Sequence, residues 1–312
     1  KMASSLPCTL ALSLAFLLLL PLSSAVDNPP ALTYHGGPLL TGNVSLGLIW
    51  YGRVGRVQKN VIRSFIKALN ANNGANLQPQ VSTWWHMVES YQTAASMRNH
   101  GIGVKVVTQV TDVTYSAGKI LTKDFFRPLI QKATNGNPKM LAVIFTARDV
   151  TVDGLCMGKC SLHGVLVNNS ANHKSLFVDD QPYIIVGNPE TECPGACAWP
   201  FHKASFGPQG LTLNPPSGNI GADAMVVAFA GGLAETVTNP FNTGFYQGAF
   251  KPVEAASACA EMFGTTAAPG STGKVLIDPK NGGGFNAHGL KGKKFLLPAL
   301  WNPQTQSCWT LM

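Results

Sequence analysis

The run "MLAVIFTARDV", from Met140 to Val150, constrains the fold of this 312-residue chain more than any other feature. Its first six residues, Met140 to Phe145, are all apolar. A strand sends successive side chains to opposite faces, so a run with no polar position is buried on both. Such a strand belongs inside a sheet that is covered on each side. The cover can be read in the flanking sequence. In "VQKNVIRSFIKALN" the residues Val57, Val61, Ile62, Phe65, Ile66 and Leu69 share one side of a 3.6-residue period, with Lys and Arg opposite, which is an amphipathic helix. "NVSLGLIWYG" and "VKVVTQVTD" read as further strands, and "VSTWWHMVESYQ" and "LTKDFFRPLIQKAT" as further helices, the latter interrupted or begun near Pro128. Strand and helix alternate, which predicts a layered α/β domain with a central mixed sheet flanked by helices.

From Cys156 to Pro216 the texture changes to loops rich in Gly, Pro, Cys and Asn, with "GVLV" and "PYIIVGN" as embedded strands. A second short helix is predicted at "EAASACAEMFG". No repeat or low-complexity linker divides the chain, so residues 26–312 read as one domain with a loop-rich, disulfide-pinned second half.

The amino-terminal segment places an apolar run, Leu10 to Leu20, before the small residues Ser23 and Ala25, the layout of a secretory signal peptide over residues 1–25. The run is short for a membrane span, so no retained anchor is expected. The six cysteines beyond it fit export: Cys156, Cys160, Cys193, Cys197, Cys259 and Cys308 can form three disulfides, in any of 15 pairings. The two C-x3-C pairs could each close a small local loop, leaving Cys259 with Cys308, or together make a four-cysteine zinc site. Asn43 and Asn168 head sequons and are candidate glycan acceptors.

The chain has 23 basic and 15 acidic residues, a net charge of +8. This falls to about +7 without Lys1 and suits a wall polyanion as partner. No dense basic run interleaved with aromatics points to nucleic acid. "GSTGK" lacks the first glycine and the final hydroxyl residue of a phosphate loop. "YGRVGRV" lacks the dinucleotide-binding spacing, and neither G-x-S-x-G nor H-E-x-x-H occurs. The seven histidines are scattered, and structural or surface roles are expected for them.

"MVVAFAGGLAETVTNP", Met225 to Pro240, reads as a core helix. Asp223 is placed to cap it, Val226, Phe229, Ala230, Leu233 and Val237 form an apolar stripe, and Asn239-Pro240 stops it. Gly231 and Gly232 each cost about 1 kcal/mol relative to alanine in such a helix. Close approach of another backbone would offset that loss.

Long segments across the chain, among them "YHGGPLLTGNVSLGLIWYGRV", "QKNVIRSFIKAL", "QPQVSTWWHMVESY", "CPGACAWPFH", "TVTNPFNTGFYQG" and "FLLPALWNPQTQSCWTL", resemble the EXORDIUM, or phosphate-induced-protein, family of secreted plant proteins. The resemblance runs from about Thr33 to the carboxyl end. It implies an apoplastic, cell-wall protein that promotes cell expansion and growth, linked to brassinosteroid response and to carbon or phosphate status; a wall polyanion or a wall or receptor protein is the expected partner. "AGGLAETVTNP" also resembles the metallopeptidase-type helix "SHELAEAVTDP" of some bacterial zincin-like proteins. Carried over, Gly231 replaces the ligand His and Gly232 the catalytic Glu, and only Glu235 survives at the second ligand position. The expectation is therefore a degenerate zincin-like scaffold with no metal, no cofactor and no catalytic residue.

Binding is expected in the loops from Cys156 to Phe206, where Trp199 and Phe201 offer aromatic surface and His202 a polar tip, unless those rings pack beneath the disulfides. The competing expectation is a hydrolase in which Asp179, Asp180, Glu190, Glu192 and Glu235 converge.

Overall fold

A computed structural model describes residues 31–71, 77–167, 180–205 and 212–312. The signal-peptide segment, Asn168 and Asp179 lie outside the described residues. Strands β1 (Gly42–Tyr51), β2 (Ile102–Asp112), β3 (Leu141–Thr146), β4 (Ser161–Leu166) and β5 (Gln181–Val186) form one five-stranded sheet in the order β2-β1-β3-β5-β4. The first three pairings are parallel, and β4 runs antiparallel along the edge of β5. This is the mixed sheet the alternating pattern predicts. β3 is buried at all six positions because it has a strand on each side and helices above and below.

The helices are α1 (Arg56–Leu69), α2 (Val81–Ala94), α3 (Phe126–Thr134) and α4 (Ile220–Thr238). Two residues of β1 show that they divide between the faces. Trp50 lies beneath Lys59 and Arg63 of α1, whose cations stand 5.7 and 5.5 Å from its ring centroid. Gly47 points the other way, and a Cβ there would sit 2.5 Å from the Ala133 carbonyl of α3. The parity of positions 47 and 50 therefore puts α1 and α3 on opposite faces. On the α1 face, Phe145 stacks on Trp50 at 4.9 Å, and Phe229 of α4 meets Phe145 at 5.2 Å and Phe65 of α1 at 5.9 Å. Edge-to-face and offset pairs of this kind add about 0.5–1.5 kcal/mol beyond the area they bury.

α4 differs from the helix read in the sequence in two respects. It starts earlier: Asn219, not Asp223, is the cap, and its side chain accepts from Ala222 N at 2.8 Å. Asn is as good a cap as Asp and comes first along the chain. Asp223 instead accepts from the N–H and hydroxyl of Ser217, both at 2.8 Å. The apolar surface is also not a stripe. α4 is apolar enough by length and composition to cross a membrane, yet 78% of that window is buried, against α1, β4 and β5.

The cysteines correct the local-loop reading. The bonds are Cys156–Cys193, Cys160–Cys197 and Cys259–Cys308, so the two C-x3-C pairs are cross-linked to each other as a ladder. Cys193 and Cys197 flank a single helical turn, Pro194–Cys197, and lie opposite the loop that carries Cys156 and Cys160. With each sulfur bonded across that gap, none is left as a thiolate for the alternative zinc site. The predicted helix at "EAASACAEMFG" shrinks to a 3-10 turn, Ser257–Cys259. Glu261, at φ 64°, ends any helical continuation.

Candidate functional site

The paired glycines of α4 have different surroundings. A Cβ on Gly232 would stand 2.8 Å from Ser161 Oγ and 3.3 Å from Ile184 Cγ2, so this glycine lets α4 close onto β4 and β5. A Cβ on Gly231 would meet Ala256 Cβ at 3.4 Å, an ordinary contact. Both glycines line a cleft of about 470 Å³ between α4, β4 and the segment from Lys251 to Ala260, and Gly231 is the one with room beside it.

Three side chains meet in this cleft. His163 comes from β4, where it shares a face with Ser161 and so points at α4. Its Nε2 lies 2.5 Å from Glu254 Oε2 and 3.9 Å from Glu235 Oε2. Glu235 comes from the last turn and a half of α4, one turn beyond Gly231, and its Oε1 accepts from Ser257 N at 2.8 Å. Glu254 is held on its other oxygen by the Asn239 amide, whose own Oδ1 accepts from Gly244 N at 2.7 Å. The side chains of His163, Glu235 and Glu254 are only 8%, 14% and 5% exposed.

Burial at this depth penalises charge, and the three groups answer each other. Desolvation alone would lower the His163 pKa, but the hydrogen bond to Glu254 and the fields of both carboxylates outweigh it and hold it above the ordinary value. Glu235 is raised, first by burial and then by the Glu254 carboxylate. Tyr91, whose hydroxyl donates to the Trp301 carbonyl, is raised well above its ordinary value by burial and by Glu235. The cluster can therefore hold a proton between base and carboxylates. One donor atom from each of His163, Glu235 and Glu254 lies within 4.8 Å of the others, a set that could also hold a divalent cation.

The degenerate-site reading kept Glu235 alone, and the structure supplies partners it did not name. His163 could have been found from strand alternation, since Ser161 and His163 share a face. Glu254 could not, because it is 91 residues away from His163 in a segment without periodicity. Of the carboxylates in the hydrolase expectation, the four among the described residues do not converge. Asp180 precedes β5 while Glu190 and Glu192 follow its far end, about 20 Å away for a six-residue strand. Glu192 accepts from Val152 N, and Glu190 faces Arg148 at 3.7 Å.

Of the expected binding loop, Phe201 is buried with Ala198, Ala224, Phe263 and Leu296, so it packs beneath the disulfide region and offers no aromatic surface. Trp199 is half-buried, tilted on Phe263 at 5.9 Å, and lines a groove of about 200 Å³ that shares Lys159, Cys160 and Ala228 with the cleft. His202 is exposed. Asn43 is exposed at the start of β1, accessible to glycan transfer.

The model of the phosphate-induced protein 1 conserved region matches residues 32–311. EXORDIUM-like 2 of Arabidopsis thaliana is 42% identical over 289 residues, 92% of this chain and 91% of that protein. EXORDIUM of the same plant is 42% identical over 287 residues, covering 90% and 89%. PHOSPHATE-INDUCED 1 of Nicotiana tabacum is 40% identical over 295 residues, covering 93% and 92%. No solved structure matches. With the match extending over nearly every described element, including the cleft and all six bonded cysteines, the chain belongs to the phosphate-induced protein 1, or EXORDIUM, family.

Proposed function

We propose that the chain is a secreted cell-wall protein that promotes cell expansion, in the brassinosteroid-linked manner its family resemblance implies, and that it acts by binding and not by turnover. Three disulfides support an oxidising compartment. The observation that carries the binding reading is the state of the cleft carboxylates. Both oxygens of Glu254 are taken by His163 and Asn239, and Glu235 is tied to Ser257 N and faces His163. Gly231 and Gly232 add no further acid, base or ligand. A general base needs hydrogen-bond access to the proton it removes, and these oxygens spend theirs on one another.

The occupant is a wall component, a polyanion or a protein segment, that enters past Lys159 and Lys251 at the cleft mouth and reaches the groove under Trp199. The test is secretion and growth together: the tagged protein should be recovered from the apoplastic fluid of tissue whose cells elongate more than controls. Retention inside the cell, or secretion without elongation, would contradict the reading.

A hydrolytic reading has one observation in its favour, that two carboxylates and a histidine lie within 4.8 Å of one another. It requires turnover of a wall glycan or peptide that Glu235→Gln abolishes.

A further inference from the structure

A second cavity, of about 530 Å³, lies at the carboxyl ends of the parallel strands, beside the start of α4. Its walls are the segments that follow the carboxyl ends of β1, β3 and β5: Arg53 and Arg56 after β1, Arg148 and Asp149 after β3, Asn188 and Glu190 after β5. The chain passes from β1 to β2 on one side of β1 and then crosses to β3 on the other, so the crevice between β1 and β3 is where the winding direction reverses. Open parallel sheets bind their ligands in that crevice.

The charge there is unbalanced. Arg148 faces Glu190 at 3.7 Å, and Asp149 is taken up by Lys119 at 2.6 Å and by the Tyr115 hydroxyl. Arg53 and Arg56 make no ion pair among the described residues. Arg56 also occupies the first position of α1, whose first turn has no acidic residue and whose cap, Gly55, has no side chain to offer. A cation at the positive end of a helix is the wrong sign for stability, so the placement calls for an anion. α4 begins at the same cavity, through Asn219, and a Cβ on Gly221 would strike Gln58 Nε2 at 2.7 Å, so the two helix starts are packed together. Asn188, 1% exposed, also lines the cavity, and its Oδ1 accepts from Glu190 N at 3.2 Å.

We infer that this cavity binds a small phosphomonoester of sugar size. The phosphoryl group presents several acceptor oxygens to Arg53, Arg56 and the first-turn amides of α1, which are donors only. The hydroxyl-bearing remainder meets Asp149 and Glu190, which accept. The volume falls in the range of small-molecule sites. The site is separate from the Glu235 cleft and does not depend on the growth role.

Calorimetric titration of the purified, disulfide-intact protein with glucose 6-phosphate tests it, beside inorganic phosphate, glucose and galacturonate. Glucose 6-phosphate should bind, inorganic phosphate more weakly, and glucose not at all. Arg53→Ala and Arg56→Ala should each weaken binding about tenfold or more. Arg56→Glu should abolish binding while raising Tm, because an acidic first turn suits the helix end. That opposite response separates a ligand site from a structural one. The inference is overturned if neither phosphate compound binds at millimolar concentration, if galacturonate binds as tightly as glucose 6-phosphate, or if the arginine variants bind like the wild type.

Discussion

Alanine placed separately at the two adjacent glycines of α4 should raise stability at Gly231 and fail to raise it at Gly232. Each substitution gains about 1 kcal/mol of helix propensity, and this gain is common to both. At Gly231 the new methyl meets Ala256 Cβ at 3.4 Å and displaces nothing, so the gain survives. At Gly232 it enters to 2.8 Å of Ser161 Oγ and 3.3 Å of both Ser161 Cβ and Ile184 Cγ2. Both neighbours belong to strands of the central sheet and can yield only a little, so overpacking of about 1–3 kcal/mol is set against the gain. The difference between the two variants isolates the overpacking, because the propensity cancels. Gly231→Ala should therefore lie about 1–3 kcal/mol above Gly232→Ala, with the wild type between them or level with the lower. Guanidinium unfolding with disulfides intact, read as midpoint at unchanged slope, measures this. Ser161→Ala, which removes the nearest atom, should recover part of the loss in Gly232→Ala but do nothing for Gly231→Ala. Coincident midpoints, or a more stable Gly232→Ala, would refute the assignment of close packing to Gly232 alone.

The disulfide ladder closes nearly the same loop twice, since both bonds span 37 residues with an offset of four. One such loop is worth about 4 kcal/mol in chain entropy. Replacing either pair by serine should cost well under that and replacing both should cost about that or more, a non-additive result visible in unfolding midpoints. Asp223 is pushed up to about 7, chiefly by burial, while an unfolded Asp titrates near 4. The folded state thus holds an extra proton between those values, and stability that is full below about pH 4 is lost as pH rises to about 7. Asp223→Asn should remove that slope and exceed the wild type by up to about 4 kcal/mol at pH 8 while losing the advantage at pH 4. A parallel pair of stability-against-pH curves would contradict it. In the cleft, His163→Ala leaves Glu254 buried with Asn239 alone and should cost about 3–5 kcal/mol, whereas Glu235→Gln relieves carboxylate repulsion and should be near neutral. Equal losses in the two variants would argue against the charge arrangement described.

The sheet was legible because local pattern decides it. Met140 to Phe145 has no polar residue, and the strand it forms has no exposed face. The apolar side of Val61, Ile62, Phe65, Ile66 and Leu69 faces the core, while Val57, on the same stripe, is half exposed at the helix start. What local pattern does not carry is pairing across the chain. The cysteine spacing is the same whether CMGKC closes on itself or on CPGAC, and only the placement of two loops side by side selects the latter. The cap of α4 was misread for a related reason, because Asn219 and Asp223 are equivalent as caps and packing at Ser217 chose between them. The cleft was half legible. Glu235 and the two glycines stand on one helix, but His163 and Glu254 reach it from 72 residues before and 19 after, brought there by the edge strand and by the Cys259–Cys308 region.

The central claim is that the Glu235 cleft serves growth by holding a ligand and not by converting one. Its most direct test is cell elongation in plants that secrete equal amounts of three proteins: wild type, Glu235→Gln and Gly231→Leu. The leucine fills the cleft from a position with space for it, and the glutamine keeps the shape of Glu235 while removing its acid–base chemistry. A binding site predicts that Gly231→Leu loses growth promotion and Glu235→Gln keeps most of it. Loss of growth promotion in Glu235→Gln, or its full retention in Gly231→Leu, would contradict the account.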